Sequence, residues 1–369
     1  MIDRNIRLGK ARLKRLIVSG CCMIVFVTAQ VLSYQMTAPV QQRLLQEKWS
    51  ESGQYSQLTL FFSDLTPMSA EEIQSFRQSI IEDYMHNADL TVQGENSALF
   101  SDACSFDVSM TVKTEKSEAE TIVTVVDGDY FWFQPVRLLH GAYFWGEDDY
   151  TDLVVIDELL AWKLYGSSAV SGMAVTIDSK PFIVSGVVKE EGLYTDEELY
   201  GKTPRMYMQY PAYQKLIRSQ AEVNAAALES SNRSEIGGIS EKGFTVYQLL
   251  LPEPVKNHAI TWTEEQFSAS DKILEIQIQG SRFSVSNLFH ILGSYGKRSL
   301  SQPGLCYPYW ENAVRLAEDY AVLLLMISVL SLLFPLYTIL GLFISKRKAI
   351  CQKIFLRHVS KHNGIECGK

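Results

Sequence analysis

No Cys-x-x-Cys pair occurs among the six cysteines of this chain, which removes the zinc-ribbon and thioredoxin-like readings. No Gly-x-Ser-x-Gly elbow is present to carry a hydrolase nucleophile. Gly201-Lys202-Thr203 ends like a phosphate-binding loop, but Asp196 stands where the earlier Gly is required. Pro204 also follows where a helix should begin. Such a loop holds phosphate on backbone donors at a helix start, and Asp196, Glu197 and Glu198 would repel it. His358 and His362 are four apart, but Val359 replaces the Glu of a metalloprotease helix. The acidic stretch Glu147, Asp148, Asp149 and Asp152 lacks the alternating ligand positions and turn Gly of an EF-hand. No catalytic residue, metal ligand or cofactor is therefore expected, and the chain is not read as an enzyme.

Charge is missing from two long apolar runs. Leu16 to Leu32 has none over about 17 residues, near the lower limit for a spanning helix. Ala321 to Ile344 has none either and is long enough to span with some tilt. Pro335 inside it removes one backbone donor and is expected to kink the helix. Acidic residues are scarce on the two terminal flanks of these runs. Arg4, Arg7, Lys10, Arg12, Lys14 and Arg15 precede the first run against Asp3 alone. Lys346, Arg347, Lys348, Lys353, Arg357, Lys361 and Lys369 follow the second against Glu366 alone. The positive-inside rule then puts both flanks in the cytoplasm.

Taking the 13 basic and 2 acidic flanking residues from the totals of 34 and 42 leaves 21 basic and 40 acidic residues between the helices. That net charge of about −19 argues against nucleic acid as a partner and against tight adhesion to anionic lipid. Val18-Ser19-Gly20-Cys21 has the outline of a lipoprotein cleavage box. Only Leu16, Ile17 and Val18 precede the cysteine, whereas a signal must place its apolar core before the cut. The first run is therefore read as an anchor. Cys104 and Cys306 are the two cysteines of the outer segment, where a disulfide is permitted. Spacing does not decide whether they pair, so a bridge and two free thiols both stand open.

The outer segment predicts an α+β domain, a mixed sheet with packed helices in two subdomains, between two transmembrane helices. Gln57 to Phe62 reads as a strand. Ser69-Ala70-Glu71-Glu72 is a capping box opening a helix to about His86, with Ile73, Phe76, Ile80 and Ile81 on one face. Phe106 to Val112 and Thr121 to Val126 read as strands joined by the charged stretch Lys113 to Glu120. Leu153 to Ile156 is a short buried strand; Asp157 caps the helix Glu158 to Tyr165, and Gly166 ends it. Met173 to Ile177 and Phe182 to Val188 pair across Asp178-Ser179-Lys180-Pro181, and Pro204 to Tyr210 is a further strand. Gln220 to Gly243 reads as a linker-like insertion. Thr263-Glu264-Glu265-Gln266 reads as a second capping box, with a helix from about Glu264 to Ile291 interrupted at Gly280. Tyr309 to Tyr320 carries Trp310, Ala313, Val314 and Ala317 on one face and is expected to join the second apolar run unbroken, as a stalk.

Val125 to Lys189 adds an ordered series: Asp129-Tyr130-Phe131, the turn Leu138-Leu139-His140-Gly141, the acidic loop Glu147 to Asp152 and the strand Leu153 to Ile156. The helix Leu160 to Gly166 and the strand Ile183 to Val188, with Val184-Ser185-Gly186-Val187-Val188, complete it. In order and spacing this resembles the signature of the MacB-like periplasmic core domain, found in FtsX-like permease subunits of ABC transporters. The sequence departs at Ala142, where the family usually has Arg, and at Ser171-Gly172, which replaces an apolar-Gly pair. The family usually has four membrane helices, and two are found here.

The apolar runs and their charge flanks give 1–15 as a basic cytoplasmic segment, 16–32 as the first transmembrane helix and 33–320 as an extracytoplasmic domain, which the resemblance implies is MacB-type. Its signature is 125–189, its insertion 220–243 and its stalk 309–320; 321–344 is the second transmembrane helix and 345–369 a basic cytoplasmic tail. The resemblance implies a permease-like subunit of an ABC transporter or mechanotransmission complex in the cell membrane. Implied partners are a cytoplasmic ABC ATPase and a second or full-length permease subunit, besides membrane lipid. The tail resembles the family's coupling segment, with Arg347, Lys348, Ile350, Ile354 and Phe355 as candidate contacts. The alternative is a non-transporting membrane-anchored binding or scaffold protein, or a degenerate permease fragment.

Overall fold

The computed structural model describes residues 2–49, 55–87, 100–145, 152–189, 203–219, 242–295, 304–305 and 307–363. In chain order the elements begin with a long helix α1 (Ile2–Arg43), a short α2 (Gln46–Trp49) and strand β1 (Tyr55–Phe62). Then come α3 (Ala70–Ser79), β2 (Ser101–Lys113), β3 (Glu118–Gly128), α4 (Tyr130–Phe133), β4 (Arg137–Gly141) and β5 (Leu153–Asp157). They are followed by α5 (Glu158–Tyr165), β6 (Ala174–Ile177), β7 (Lys180–Lys189), β8 (Arg205–Gln209) and a helix α6 over 210–219. The chain closes with β9 (Val246–Pro252), α7 (His258–Phe267), β10 (Leu274–Ile278), α8 (Val285–Ser294) and the 55-residue helix α9 (Tyr309–Asn363).

All ten strands belong to one mixed sheet, in the order β10-β1-β9-β2-β3-β8-β5-β7-β4, with β6 bridging β2 and β7. Pairs β3–β8 and β5–β7 are parallel, and the other pairs are antiparallel. Because β6 pairs with both β2 and β7, six strands close on themselves as β2-β3-β8-β5-β7-β6. Strands β9, β1 and β10 extend this ring as an open sheet. The two expected subdomains are thus two ends of a single sheet, one curled and one open.

Local chemistry explains the elements. Ser69 caps α3 reciprocally: its hydroxyl accepts from the Glu72 N–H at 3.2 Å, and its own N–H donates to the Glu72 carboxylate at 2.8 Å. Helix α3 does run on through Asn87, but by a π-helical turn over Ile80–Tyr84. The extra residue rotates the helix, so Tyr84 is buried and Ile81 is 54% exposed, contrary to the expected face. Asp157 caps α5 by accepting from the Leu160 N–H at 2.6 Å, and Gly166 ends it at φ 70° in the left-handed region.

Two expectations near the C-terminal half are corrected. Thr263 caps nothing: it lies inside α7, fully buried, and its hydroxyl donates to the Ala259 carbonyl. The expected long helix to Ile291 is instead α7, strand β10 and α8, because Leu274, Ile276 and Ile278 alternate with Glu275 and Gln277 at the period of a strand.

The sheet has two covered faces. On one, Leu58, Leu60 and Phe62 of β1 and Tyr247, Leu249 and Leu251 of β9 form the main core beneath α3, α5, α6 and α7. On the other, Leu250 joins Leu45, Tyr130, Phe131 and Tyr207, while Phe61 and Val246 meet Leu305, Tyr307 and Trp310. Strand period two sends alternate residues of β1 to opposite faces. The second face is where the two long helices attach.

Candidate functional site

Sheet and long helices meet at a joint built from β10, the turn after it and the first three turns of α9. Gln279, just past the edge strand, donates its N–H to the Gln57 carbonyl at 2.9 Å and its amide to Thr59 at 2.8 Å. Gln57 in turn accepts from the Leu45 N–H at 2.9 Å, which pins the end of α1 to β1. Gly280 passes so close to Gln46 that a Cβ there would lie 2.2 Å from its amide nitrogen.

Arg282 follows and is 1% exposed. Its guanidinium forks onto Glu311 at 2.6 and 2.8 Å and donates to Glu318 at 2.7 Å. Arg315 donates to Glu311 at 2.7 Å and to Glu275 of β10 at 2.5 Å, and its guanidinium lies 3.8 Å from the Tyr307 ring centroid. The Tyr307 hydroxyl donates to Glu275 as well. Glu311, Arg315 and Glu318 are spaced four and three apart, so they share one helix face. The sheet edge and α9 are therefore joined by two arginines among three glutamates, nearly all out of water.

Burial alone would lower the Arg282 pKa, but the charges of Glu311 and Glu318 and their hydrogen bonds reverse this and raise it. The side chain is permanently charged. Burial pushes the Tyr307 hydroxyl up, and its hydrogen bond to Glu275 adds to the shift.

A second face of α9 carries Ala313, Ala317 and Ala321, spaced four apart. Val40 of α1 packs with Ala313 and Ala317, and the Gln30 amide of α1 donates to Ser328 at 2.9 Å. Ascending α9 while descending α1 makes the pair antiparallel, and the small residues let the backbones approach. Both helices are long and apolar enough to cross a membrane, over Leu13–Gln41 and Tyr309–Lys348.

A separate polar cluster braces the other face. Arg77 of α3 pairs with Asp102 at 2.6 Å and with Asp127 at 3.0 Å, and the Tyr247 hydroxyl donates to Asp102 at 2.6 Å. Burial raises the Asp102 pKa against the opposing pull of Arg77. Burial also pushes the Cys104 thiol well up, with the Asp127 charge adding to it. A protonated, enclosed thiol is a poor nucleophile. The cluster holds α3 on the sheet.

A cleft of about 140 Å³ beside the joint is lined by Asp107, Tyr130, Lys242, Tyr307 and Trp310, among others. That is below the roughly 300 Å³ at which small-molecule sites begin. Among the described residues, no group of three His, Cys, Asp or Glu side chains is placed to hold a metal.

The residues singled out from sequence fall elsewhere. Ile350 is exposed near the far end of α9, with Arg347 and Lys348 before it, and Arg347 sits 5.8 Å from the Phe343 ring centroid. The helical backbone continues through Ile354 and Phe355. Cys104 is a free, buried thiol; Cys306 lies outside the described residues. So do Glu147 to Asp149 of the acidic loop, Gly201 and Lys202, and 220–241 of the insertion. The joint itself carries no motif. Its one sequence signal was the spacing of Glu311, Arg315 and Glu318.

The family model of the MacB-like periplasmic core domain matches residues 19–236, more than half of the chain. The chain belongs to this family. Its sheet is accordingly the extracytoplasmic MacB-like domain of an ABC-transporter permease relative, membrane-associated and flanked by two apolar helices. Three solved structures are similar in part. The periplasmic region of MacB from Actinobacillus actinomycetemcomitans gives a TM-score of 0.38 at 13% identity, covering 66% of this chain and 94% of that one. The extracellular domain of the noncanonic ABC-type transporter YknZ from Gram-positive bacteria gives 0.36 at 14%, covering 60% and 99%. A domain of a permease protein from Porphyromonas gingivalis gives 0.31 at 12%, covering 64% and 96%. No curated protein matches the MacB-like chain.

Proposed function

We propose that this MacB-like chain is a permease-like membrane subunit that couples a separate cytoplasmic ATPase to its extracytoplasmic domain. One observation carries the reading: a single helix, α9, runs from the buried Arg282–Glu311–Arg315–Glu275 joint at the sheet edge to the basic segment beyond Ile344. A helix held by ion pairs at one end transmits displacement from the other, since its internal hydrogen bonds resist stretching. The basic flanks favour a topology with both termini in the cytoplasm. In that topology 16–32 and 321–344 span the membrane, 33–320 lies outside with 309–320 as the stalk, and 1–15 and 345–369 lie inside.

The partner set is an ABC ATPase and a second or full-length permease subunit. Arg347, Lys348 and Ile350, with Ile354 and Phe355, form the coupling face. Replacing Ile350, Ile354 and Phe355 together by Ser leaves every charge in place. Co-purification in mild detergent is the test. Loss of the ATPase or permease with normal membrane insertion is the expected result. Undiminished binding would make the tail an anchor only. A native chain that retains neither partner would instead point to a membrane-anchored scaffold.

A further inference from the structure

Helix α8 stands at an unusual height. Ser284 caps it by accepting from the Asn287 N–H at 3.3 Å, and the Asn287 amide donates to the Arg282 carbonyl at 2.7 Å, so it hangs from the joint. Leu288 and Ile291 are buried against Ala321 and Val322, with Leu292 and Leu325 beside them. Ala321 and Val322 open the uncharged run of α9. The exposed rings of Tyr34 and Tyr320 border the same level, where interfacial aromatic residues gather. Helix α8 therefore lies at the outer boundary of the membrane.

Only half of its apolar surface is used. At roughly 100° per residue, Ile291, Leu288, Leu292, Val285 and Phe289 form one arc about 160° wide, opposite Ser286, His290 and Ser294. Leu288 and Ile291 pack on α9, but Val285 is 60% exposed and Phe289 51% exposed. At this level α9 also exposes Leu323, Met326 and Ile327, apolar side chains on the uncharged run that a membrane would cover.

We propose that Val285 and Phe289 of α8 insert among lipid acyl chains of the outer leaflet and brace the sheet domain on the bilayer. The helix carries no Lys, Arg, Asp or Glu, unlike the cationic helices drawn to anionic lipid. Its immersion is apolar and independent of headgroup charge. The inference rests on α9 spanning the membrane and not on its coupling to an ATPase, so partner loss and α8 immersion fail separately.

The test uses the full chain in nanodiscs of phosphatidylcholine alone or mixed with phosphatidylglycerol. With the six native cysteines replaced by Ala, single variants Val285→Cys, Ser286→Cys, Phe289→Cys and His290→Cys carry a spin label. Oxygen partitions into lipid, whereas a polar nickel chelate is excluded from it, so the oxygen-to-nickel collision ratio should be about tenfold higher at 285 and 289 than at 286 and 290. Equal ratios would place the face in water, and low collision with both reagents at 289 would place it against protein; either overturns the proposal. A ratio that falls in purely zwitterionic discs would overturn the charge independence. Should the cysteine-free chain aggregate, a benzophenone amino acid at 289 in the native sequence decides the matter. Lipid adducts are expected, and cross-linked protein alone would overturn it.

Discussion

Arg282 holds Glu311 by two parallel hydrogen bonds of 2.6 and 2.8 Å, across a gap of 29 residues in sequence and inside a site closed to water. A fork of this kind fixes angle as well as distance. It sets the direction in which α9 leaves the sheet, and Glu318 and Arg315 hold that direction over two more turns.

Removing the Arg282 cation alone should therefore cost more than removing it together with the two carboxylate charges it holds. In Arg282→Met, Glu311 keeps Arg315 but Glu318 is left buried without its arginine, a loss of about 3–5 kcal/mol for a broken buried pair. Adding Glu311→Gln and Glu318→Gln should recover much of it. Denaturation of the three proteins in detergent checks the order: native most stable, the triple variant next, Arg282→Met least.

The capping box should give a pH-dependent term. Burial is the largest single influence and raises the Glu72 pKa, but the Ser69 N–H and Lys272 together outweigh it and the net shift is downward. A carboxylate with a lowered folded pKa stabilises above its unfolded value, near 4.3, and the term vanishes as pH falls through the folded one. The side chain is half-exposed, so solvent screening limits the gain to under about 1 kcal/mol. Comparing native and Glu72→Gln unfolding from neutral to acid pH should show a gap that closes toward low pH. A gap that widens there would reverse the assignment.

Topology is checked with the cysteines. In intact cells carrying replacements at Cys21 and Cys22, an impermeant maleimide should leave Cys351 and Cys367 unlabelled until the membrane is opened. Labelling of either from outside would move the C-terminus across the membrane.

What could be read from the sequence was what short-range chemistry writes. The Ser69 box, the Asp157 cap, the Gly166 stop and the strands around Asp178-Ser179 each depend on neighbours a few residues away. Thr263 misled because a capping pattern takes no account of a helix that has already begun, here six residues earlier at Asn257. The alternation of Leu274, Ile276 and Ile278 that makes strand β10 lies inside the stretch that this false start extends as helix. The joint left no trace in the sequence beyond the spacing of Glu311, Arg315 and Glu318. Arg282 sits in a polar turn, Glu311, Arg315 and Glu318 look like a solvated helix face, and only the fold brings them together out of water.

Strand β1 gives one further consequence. Its seven consecutive buried residues serve two masters: Leu58, Leu60 and Phe62 fill the core, while Gln57, Thr59 and Phe61 serve the joint. A one-residue insertion or deletion here would exchange the two sets, driving Gln57 and Thr59 into hydrocarbon and Leu58 and Leu60 against buried polar groups. This stretch should thus be the least forgiving place in the chain for a change of length, however conservative the residue added.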